Sequence, residues 1–391
     1  MKLPMKGILI TNLFVAALGG PVHSGTILVP SQIADLQVAI NTANANDCII
    51  VNGGTYPPIV IDKPLTIIGD ATPTIDNTAT PFVDPNVLPA IELLGPGSGS
   101  VKLVNVRTRG LTDGSVNFST TNSGISGGGF DELYIEECDI ESAEWFTLTG
   151  LGKGESGVVT SVPYVHIERS RIRGGKTDND TANPTPGMPP GGIGISAPSS
   201  TVVVIDSDVA GGAGVVLWYD IGLCPGPCPC PSIGAFGGDG VVCDRLFSGG
   251  PNNSIIGGPG SEVLCFDTNT GTIVTAGKQP DGTPIVANEH ITLGIELAAS
   301  GPLELSQTVT LVWTTVGFPI LLVSTPIQPT SVGSMGWLFL EPSTLIVAPI
   351  PSNYISASVP NLPILIGLSI GVQILDPLGD LTVPYISTIG P

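Results

Sequence analysis

The sequence predicts an all-β protein, a coil of parallel strands followed by a small β-sandwich, and three observations carry that expectation. Glycine (52) and proline (37) together supply almost a quarter of the 391 residues, and both interrupt helices while favouring turns. Only 12% of the residues are charged against 42% hydrophobic, which excludes general disorder and leaves too few charges for helical bundles or coiled coils. Four ten-residue segments also align without gaps: Val101–Gly110, Leu133–Ser142, Val165–Gly174 and Val202–Gly211, starting 32, 32 and 37 residues apart. That spacing lies in the range of a solenoid, whose units stack because none buries its apolar face alone.

In chain order, Met1–Ser24 reads as a secretory signal. Lys2 and Lys6 open it, Ile8–Leu18 is an apolar stretch too short for a bilayer, and Val22-His23-Ser24 precedes a cut at Gly25. Cleavage removes two lysines and no acid, leaving 11 basic and 33 acidic residues and a net charge of −22. Such a surface repels nucleic acid, anionic lipid and polyuronate alike. Val309–Val323 is apolar but broken by threonine and proline, so no integral membrane segment is expected. The expected location is secreted, extracellular or at the cell surface.

After the signal, Ser31 can cap a short helix with Ile33, Leu36 and Ile40 on one face. Strands follow at Ile49–Val51, Ile59–Ile61 and Leu65–Ile68, with corners at Gly53-Gly54 and Lys63-Pro64. In the ten-residue repeats, positions 1 and 3 are apolar. Position 6 is small or apolar (Val106, Cys138, Ser170, Ser207) and position 8 mostly β-branched (Thr108, Ile140, Ile172, Val209). The inward phase therefore slips near position 5, where a corner must lie. A repeating strand–corner–strand unit is a rung of a parallel β-helix, with rungs about 4.8 Å apart.

The outward positions alternate in charge from repeat to repeat. Position 7 holds Arg107, Asp139, Arg171 and Asp208, position 5 holds Asn105, Glu137, Arg169 and Asp206, and position 9 holds Arg109, Glu141, Arg173 and Ala210. Stacked, they form a structural charge ladder worth roughly 0.2–1 kcal/mol per pair. An arginine-rich catalytic groove is the competing reading, but carboxylates hold the proton on a paired arginine and make it a poor base.

The helix, Asn52-Gly53-Gly54-Thr55-Tyr56, Lys63-Pro64-Leu65-Thr66-Ile67-Ile68-Gly69 and the ten-residue units resemble the right-handed parallel β-helix proteins of the pectin-lyase-like superfamily. The resemblance spans about residues 25 to 275. It implies a right-handed coil, and it leaves function open, since such coils carry lyases, hydrolases, phage adhesins and inert surface proteins.

Past Lys278 there is no lysine or arginine. Short apolar strands at Leu311–Trp313, Leu321–Val323, Leu338–Leu340 and Gly367–Leu375 alternate with proline and glycine turns, the pattern of a β-sandwich over 288–391. This part resembles a C-terminal module of secreted bacterial proteins. The coil is assigned to 25–280 and the hinge to Asp281–Asn288.

Candidate chemistry is sparse. His166 and His290 are read as solvated. Asp178 and Asp180, on a Gly/Pro-rich loop, are a calcium candidate, with a solvated turn preferred because no EF-hand spacing follows. No other cofactor is implied. Trp218 and Tyr219 lead into a cysteine-rich loop, where aromatics can stack on sugars or shield the coil edge. Cys138 is expected to be a buried thiol, and Cys224, Cys228, Cys230, Cys243 and Cys265 are disulfide candidates. No catalytic residue is identified. The preferred reading is a secreted, non-catalytic protein contacting a polysaccharide or cell-surface glycan. The alternative is a polysaccharide lyase or glycoside hydrolase with its site on the outer face of the coil, beside the loops at 111–130, 143–161 and 174–192.

Overall fold

The computed structural model describes residues 25–76, 89–109, 123–142, 154–176, 191–214, 217–220, 236–260, 262–267, 272–293, 297–299, 303–313, 319–333, 336–349, 354–359, 361–378 and 380–391. Segment 1–24, Asp178, Asp180, Cys224, Cys228 and Cys230 lie outside them. The fold is all-β, with parallel strands in a large curled sheet that is broadly compatible with a parallel β-helix.

A short helix, Leu36–Thr42, lies near its start. The cap is Asp35, whose carboxylate accepts the Val38 N–H at 2.9 Å, and not Ser31. Residues 30–33 are held in a turn instead, because the Gln32 and Ile33 N–H groups close back on the Leu28 carbonyl.

The large sheet has thirteen strands. One wall stacks Thr26–Val29, Asp47–Asn52, Leu65–Asp70, Ser100–Val104, Glu132–Glu136 and Tyr164–Glu168 in parallel. A second wall stacks Ile59–Ile61, Ile91–Leu94, Ile125–Gly128 and Val158–Thr160. The eleven-residue strand Ile195–Ile205 joins the walls, and its register shifts between Ala197 and Thr201. Parallel stacking continues through Val241–Gly249 to Ile285–Thr292, across the stretch where the sequence suggested a hinge. A separate seven-stranded parallel sheet is built of short strands, including Arg107–Arg109, Asp139–Glu141, Arg171–Arg173 and Asp208–Ala210.

Period-2 alternation fills the interior. Ile49, Ile67, Leu103, Ile135, Ile167 and Val204 are register partners along the stack, and all are fully buried. Each such side chain contributes roughly 1.5–3 kcal/mol of burial. The corner falls at position 5, where Asn105, Glu137, Arg169 and Asp206 have φ between 48° and 54°. This left-handed conformation suits asparagine and aspartate and strains glutamate and arginine. Position 6 is small because its side chain is a rung of an internal polar ladder. The Cys138 N–H donates to Ser170 Oγ and the Ser170 N–H to Ser207 Oγ, each at 3.0 Å. The hydroxyls in turn donate to the Glu168 and Ile205 carbonyls.

A second column is built from glycine. The segments at 191–194, 211–214, 237–240 and 257–260 all read Gly-Gly-x-Gly. The N–H groups of Gly192, Gly212, Gly238, Gly258 and Gly282 donate to the carbonyls of Gly175, Gly192, Gly212, Gly238 and Gly258, at 2.7–2.9 Å. A Cβ on Gly212 would lie 1.9 Å from the Gly175 carbonyl oxygen, so no other residue fits so close a backbone approach.

The C-terminal part forms three small antiparallel sheets. Leu297–Ala299, Thr308–Trp313 and Tyr354–Ser358 make one. Ile346–Pro349, Ile320–Ser324, Ser369–Leu375 and Tyr385–Thr388 make the second, and Pro326–Ser331 with Trp337–Leu340 the third. Trp313, Val323, Ile374, Tyr385 and Ile389 belong to the core shared by the first two. This part lies on the outer face of the large sheet. Phe339 and Val383 pack with Tyr134, Tyr164, Val203, Ile205 and Phe247, and Ile366 packs with Cys48, Ile50, Ile68 and Val104.

One cysteine departs from the disulfide expectation. Cys243 is a free, buried thiol, like Cys48 and Cys138. Its register partners are Ala197 and Ala287, and it points into the coil core. Cys265 lies instead on Glu262–Asp267, in a sheet with Leu217–Asp220 and Thr272–Lys278. Burial pushes the thiols of Cys48, Cys138 and Cys243 up to about 12, which makes them unreactive.

Candidate functional site

The side chains with chemistry gather on the outer face of the first wall, in register rows. One row carries Thr66, Lys102, Tyr134, His166, Val203 and Phe247, and the next Ile68, Val104, Glu136, Glu168 and Ile205. A third row adds Ser100, Glu132 and Tyr164. Period-2 alternation points all of them away from the coil core, into the contact with the C-terminal part. His166 is therefore not solvated as its outward position suggests. It is 2% exposed, with Nδ1 3.4 Å from the Tyr164 hydroxyl and Nε2 3.1 Å from Glu168 Oε2.

Glu136, Glu168 and Arg169 dock the last strand. The Thr388 N–H donates to Glu136 Oε2 at 2.8 Å and the Ile386 N–H to Glu168 Oε2 at 3.1 Å. Arg169 reaches Glu136 and Glu168 with its two terminal nitrogens and Glu137 with Nε at 3.1 Å, and its guanidinium also faces the Ile386 carbonyl at 3.4 Å. Burial would lower the Arg169 guanidinium, but Glu168 and Glu136 more than offset that and hold it charged. Burial pushes the Glu136 carboxyl up to about 7, with Arg169 opposing and Glu168 and Glu137 adding to it.

Beside this cluster lies a cavity of about 260 Å³ between the two parts. Thr66, Ser100, Lys102, Glu132 and Tyr134 line it from the coil, and Thr325–Ile327 and Gly367–Ser369 from the C-terminal part. Lys102 Nζ donates to Ser369 Oγ at 2.8 Å and lies 5.4 Å from the Tyr134 ring centroid. The Tyr134 hydroxyl donates to Glu132 Oε2 at 3.2 Å. Burial lowers the Lys102 ammonium and raises the Glu132 carboxyl.

The second wall presents something different, an open trough of about 660 Å³. It crosses the strands from Leu93-Leu94-Gly95 over Ser126–Gly129 and Val159–Ser161 to Ser196 and Pro198. No described lining residue is ionisable.

The remaining sequence-predicted residues fall as follows. On the seven-stranded sheet, Asp139 sits between Arg107 (3.0 Å) and Arg171 (2.6 Å), Arg171 also reaches Glu141 (3.0 Å), and Arg173 reaches Asp208 (3.4 Å). The last two contacts run diagonally, because Asp208 is the register partner of Arg171. Arg109 makes no ion pair among the described residues. Position 5 is not a plain outward rung. Asp206 accepts the Asn252 N–H at 3.1 Å, Asn105 donates to the Gly69 carbonyl, and Arg169 turns under the C-terminal part. Trp218 and Tyr219 lie on a strand beside Leu264 and Cys265. Among the described residues, no three histidine, cysteine or acidic side chains converge as metal ligands. No helix there is long and apolar enough to cross a membrane.

The sequence reading passed over Lys102, Tyr134, Glu136 and Glu168, which occupy positions 2 and 4 of the repeats. The signal was present in the fourth repeat, whose outward positions 2 and 4 are Val203 and Ile205. Apolar residues in an outward phase mean that the face is covered. Compared with known proteins, the chain matches no family model and no curated sequence.

Proposed function

We propose that the chain is a secreted, right-handed parallel β-helix protein with a C-terminal β-sandwich module, and that it binds an uncharged extracellular glycan without cleaving it. The carrying observation is the trough. Its wall offers the hydroxyls of Ser126, Ser161 and Ser196, backbone at Gly127–Gly129, and apolar patches from Leu94 and Val159. This is a surface for hydroxyl exchange and sugar-face contact. Its described lining residues include no carboxylate, histidine, lysine, tyrosine or cysteine to donate or accept a proton in catalysis. Rows repeat along it at the strand spacing, about 4.8 Å, comparable to the length of one sugar in a linear chain. Among the described residues, Arg107, Asp139, Glu141, Arg171, Arg173 and Asp208 are engaged in ion pairs on the other sheet, and Glu136, Glu168 and Arg169 under the C-terminal part.

Purified protein tested against a polysaccharide panel, neutral and acidic, checks this. Binding to a neutral polysaccharide, weakened by Val159→Arg and by Ser196→Arg, is expected. Release of new reducing ends or unsaturated uronate from any substrate would replace the reading with an enzymatic one.

A further inference from the structure

We propose that the cavity between the large sheet and the C-terminal part is a binding site for a small zwitterion of the amino-acid type. Lys102 and Glu132 are, with the Tyr134 phenol, the ionisable groups among the described residues of its wall. They carry opposite charge, yet no ion pair within 4.0 Å joins them among the described residues, where Lys63 and Arg245 do find carboxylates. The ammonium of Lys102 has three protons, and Ser369 Oγ accepts one of them. Glu132 Oε2 takes the Tyr134 hydroxyl, and its other oxygen has no described donor. Each is half-buried and lies in the other's field without a direct contact, so the desolvation of the two charges is only partly offset. The lowering of Lys102 and the raising of Glu132 by burial agree with that arrangement.

A molecule carrying both charges resolves it. Its carboxylate would take the Lys102 protons and its ammonium the free Glu132 oxygen, giving a charge-assisted hydrogen bond at each end. Thr66 and Ser100 add hydroxyl-bearing residues to the wall. A simple anion would meet Glu132 and a strongly acidic chain, and a simple cation would meet Lys102, so net neutrality with separated charge is the matching property. The volume of about 260 Å³ is many times the roughly 10–15 Å³ that one water requires, which admits a molecule of several heavy atoms. None of these wall residues is shared with the open trough, so the site stands independently of glycan binding.

The experiment titrates the purified full chain calorimetrically with each standard amino acid. For any that binds, the hydroxy acid lacking the ammonium and the amine lacking the carboxylate serve as controls. At least one amino acid is expected to bind, with both controls weaker by roughly tenfold or more. Lys102→Met and Glu132→Gln should each weaken it comparably, with thermal unfolding confirming that the variants fold. No binding by any amino acid at millimolar concentration, or equal binding of the one-charge controls, would overturn the proposal. The control arms use the unaltered chain, so the outcome holds even if a variant misfolds.

Discussion

Glu136 should make the contact between coil and C-terminal part strengthen as the solution is acidified. Its carboxyl is 5% exposed and faces Arg169, Glu168 and Glu137 from the coil, and the Thr388 N–H and Ser387 from the last strand. The folded carboxyl titrates at about 7 against an ordinary value of 4.5. A folded value above the unfolded one means that the folded chain holds a proton the unfolded chain has released. The resulting stabilisation is fully present below pH 4.5 and disappears as pH rises through 7. At 1.36 kcal/mol per pH unit, the window is worth about 3 kcal/mol. Acidification also relieves the general repulsion of a strongly acidic chain, so wild type alone is not diagnostic. Glu136→Gln supplies the control, because the amide imitates the protonated acid and keeps an oxygen for the Thr388 N–H. Urea unfolding from pH 4.5 to 8.5 should show the two proteins nearly equal at the acid end. The variant should be more stable by about 3 kcal/mol at the alkaline end. A difference that stays flat with pH would refute the reasoning, and one of opposite sign would mean that Arg169 outweighs burial at this site.

Two other consequences follow from the backbone and the core. Gly212→Ala drives a methyl to 1.9 Å from the Gly175 carbonyl oxygen, where only backbone movement gives relief. It should cost about 3 kcal/mol or more in urea unfolding. Gly390→Ala, whose Cβ would meet nothing nearer than 3.6 Å, should stay within about 0.5 kcal/mol of wild type; equal effects of the two would sink the argument. Cys48, Cys138 and Cys243 should resist iodoacetamide at pH 8 in the folded protein and react in urea, since burial raises all three thiols to about 12. Mapping of label to any of them under native conditions would contradict their burial.

What could be read from the sequence follows the range of the interactions involved. Positions 1, 3, 6 and 8 of the repeats obey a local alternation, so the buried column through Leu103, Ile135 and Ile167 and the polar ladder through Ser170 and Ser207 sit where that alternation puts them. The slip at position 5 is equally local, because one left-handed residue reverses the phase. The column of Gly-Gly-x-Gly segments was equally visible, but glycine counted only as turn composition hides the close approach of backbones that gives each its place. The face holding the candidate cavity is different in kind. Lys102 and Ser369 are 267 residues apart, and Glu136 and Thr388 are 252 apart. Nothing periodic links such pairs, so an outward Tyr134, His166 or Glu168 reads as solvated until the covering strand is placed. Val203 and Ile205 are the exception that makes the rule usable. A solvated sheet face has no reason to carry them, and in a charged repeat with two outward aliphatics the economical inference is a second layer. Once that layer is assumed, buried carboxylates such as Glu136 and Glu168 require donors from it. The docking of the last strand through its backbone N–H groups then follows from the cost of leaving such carboxylates unsatisfied.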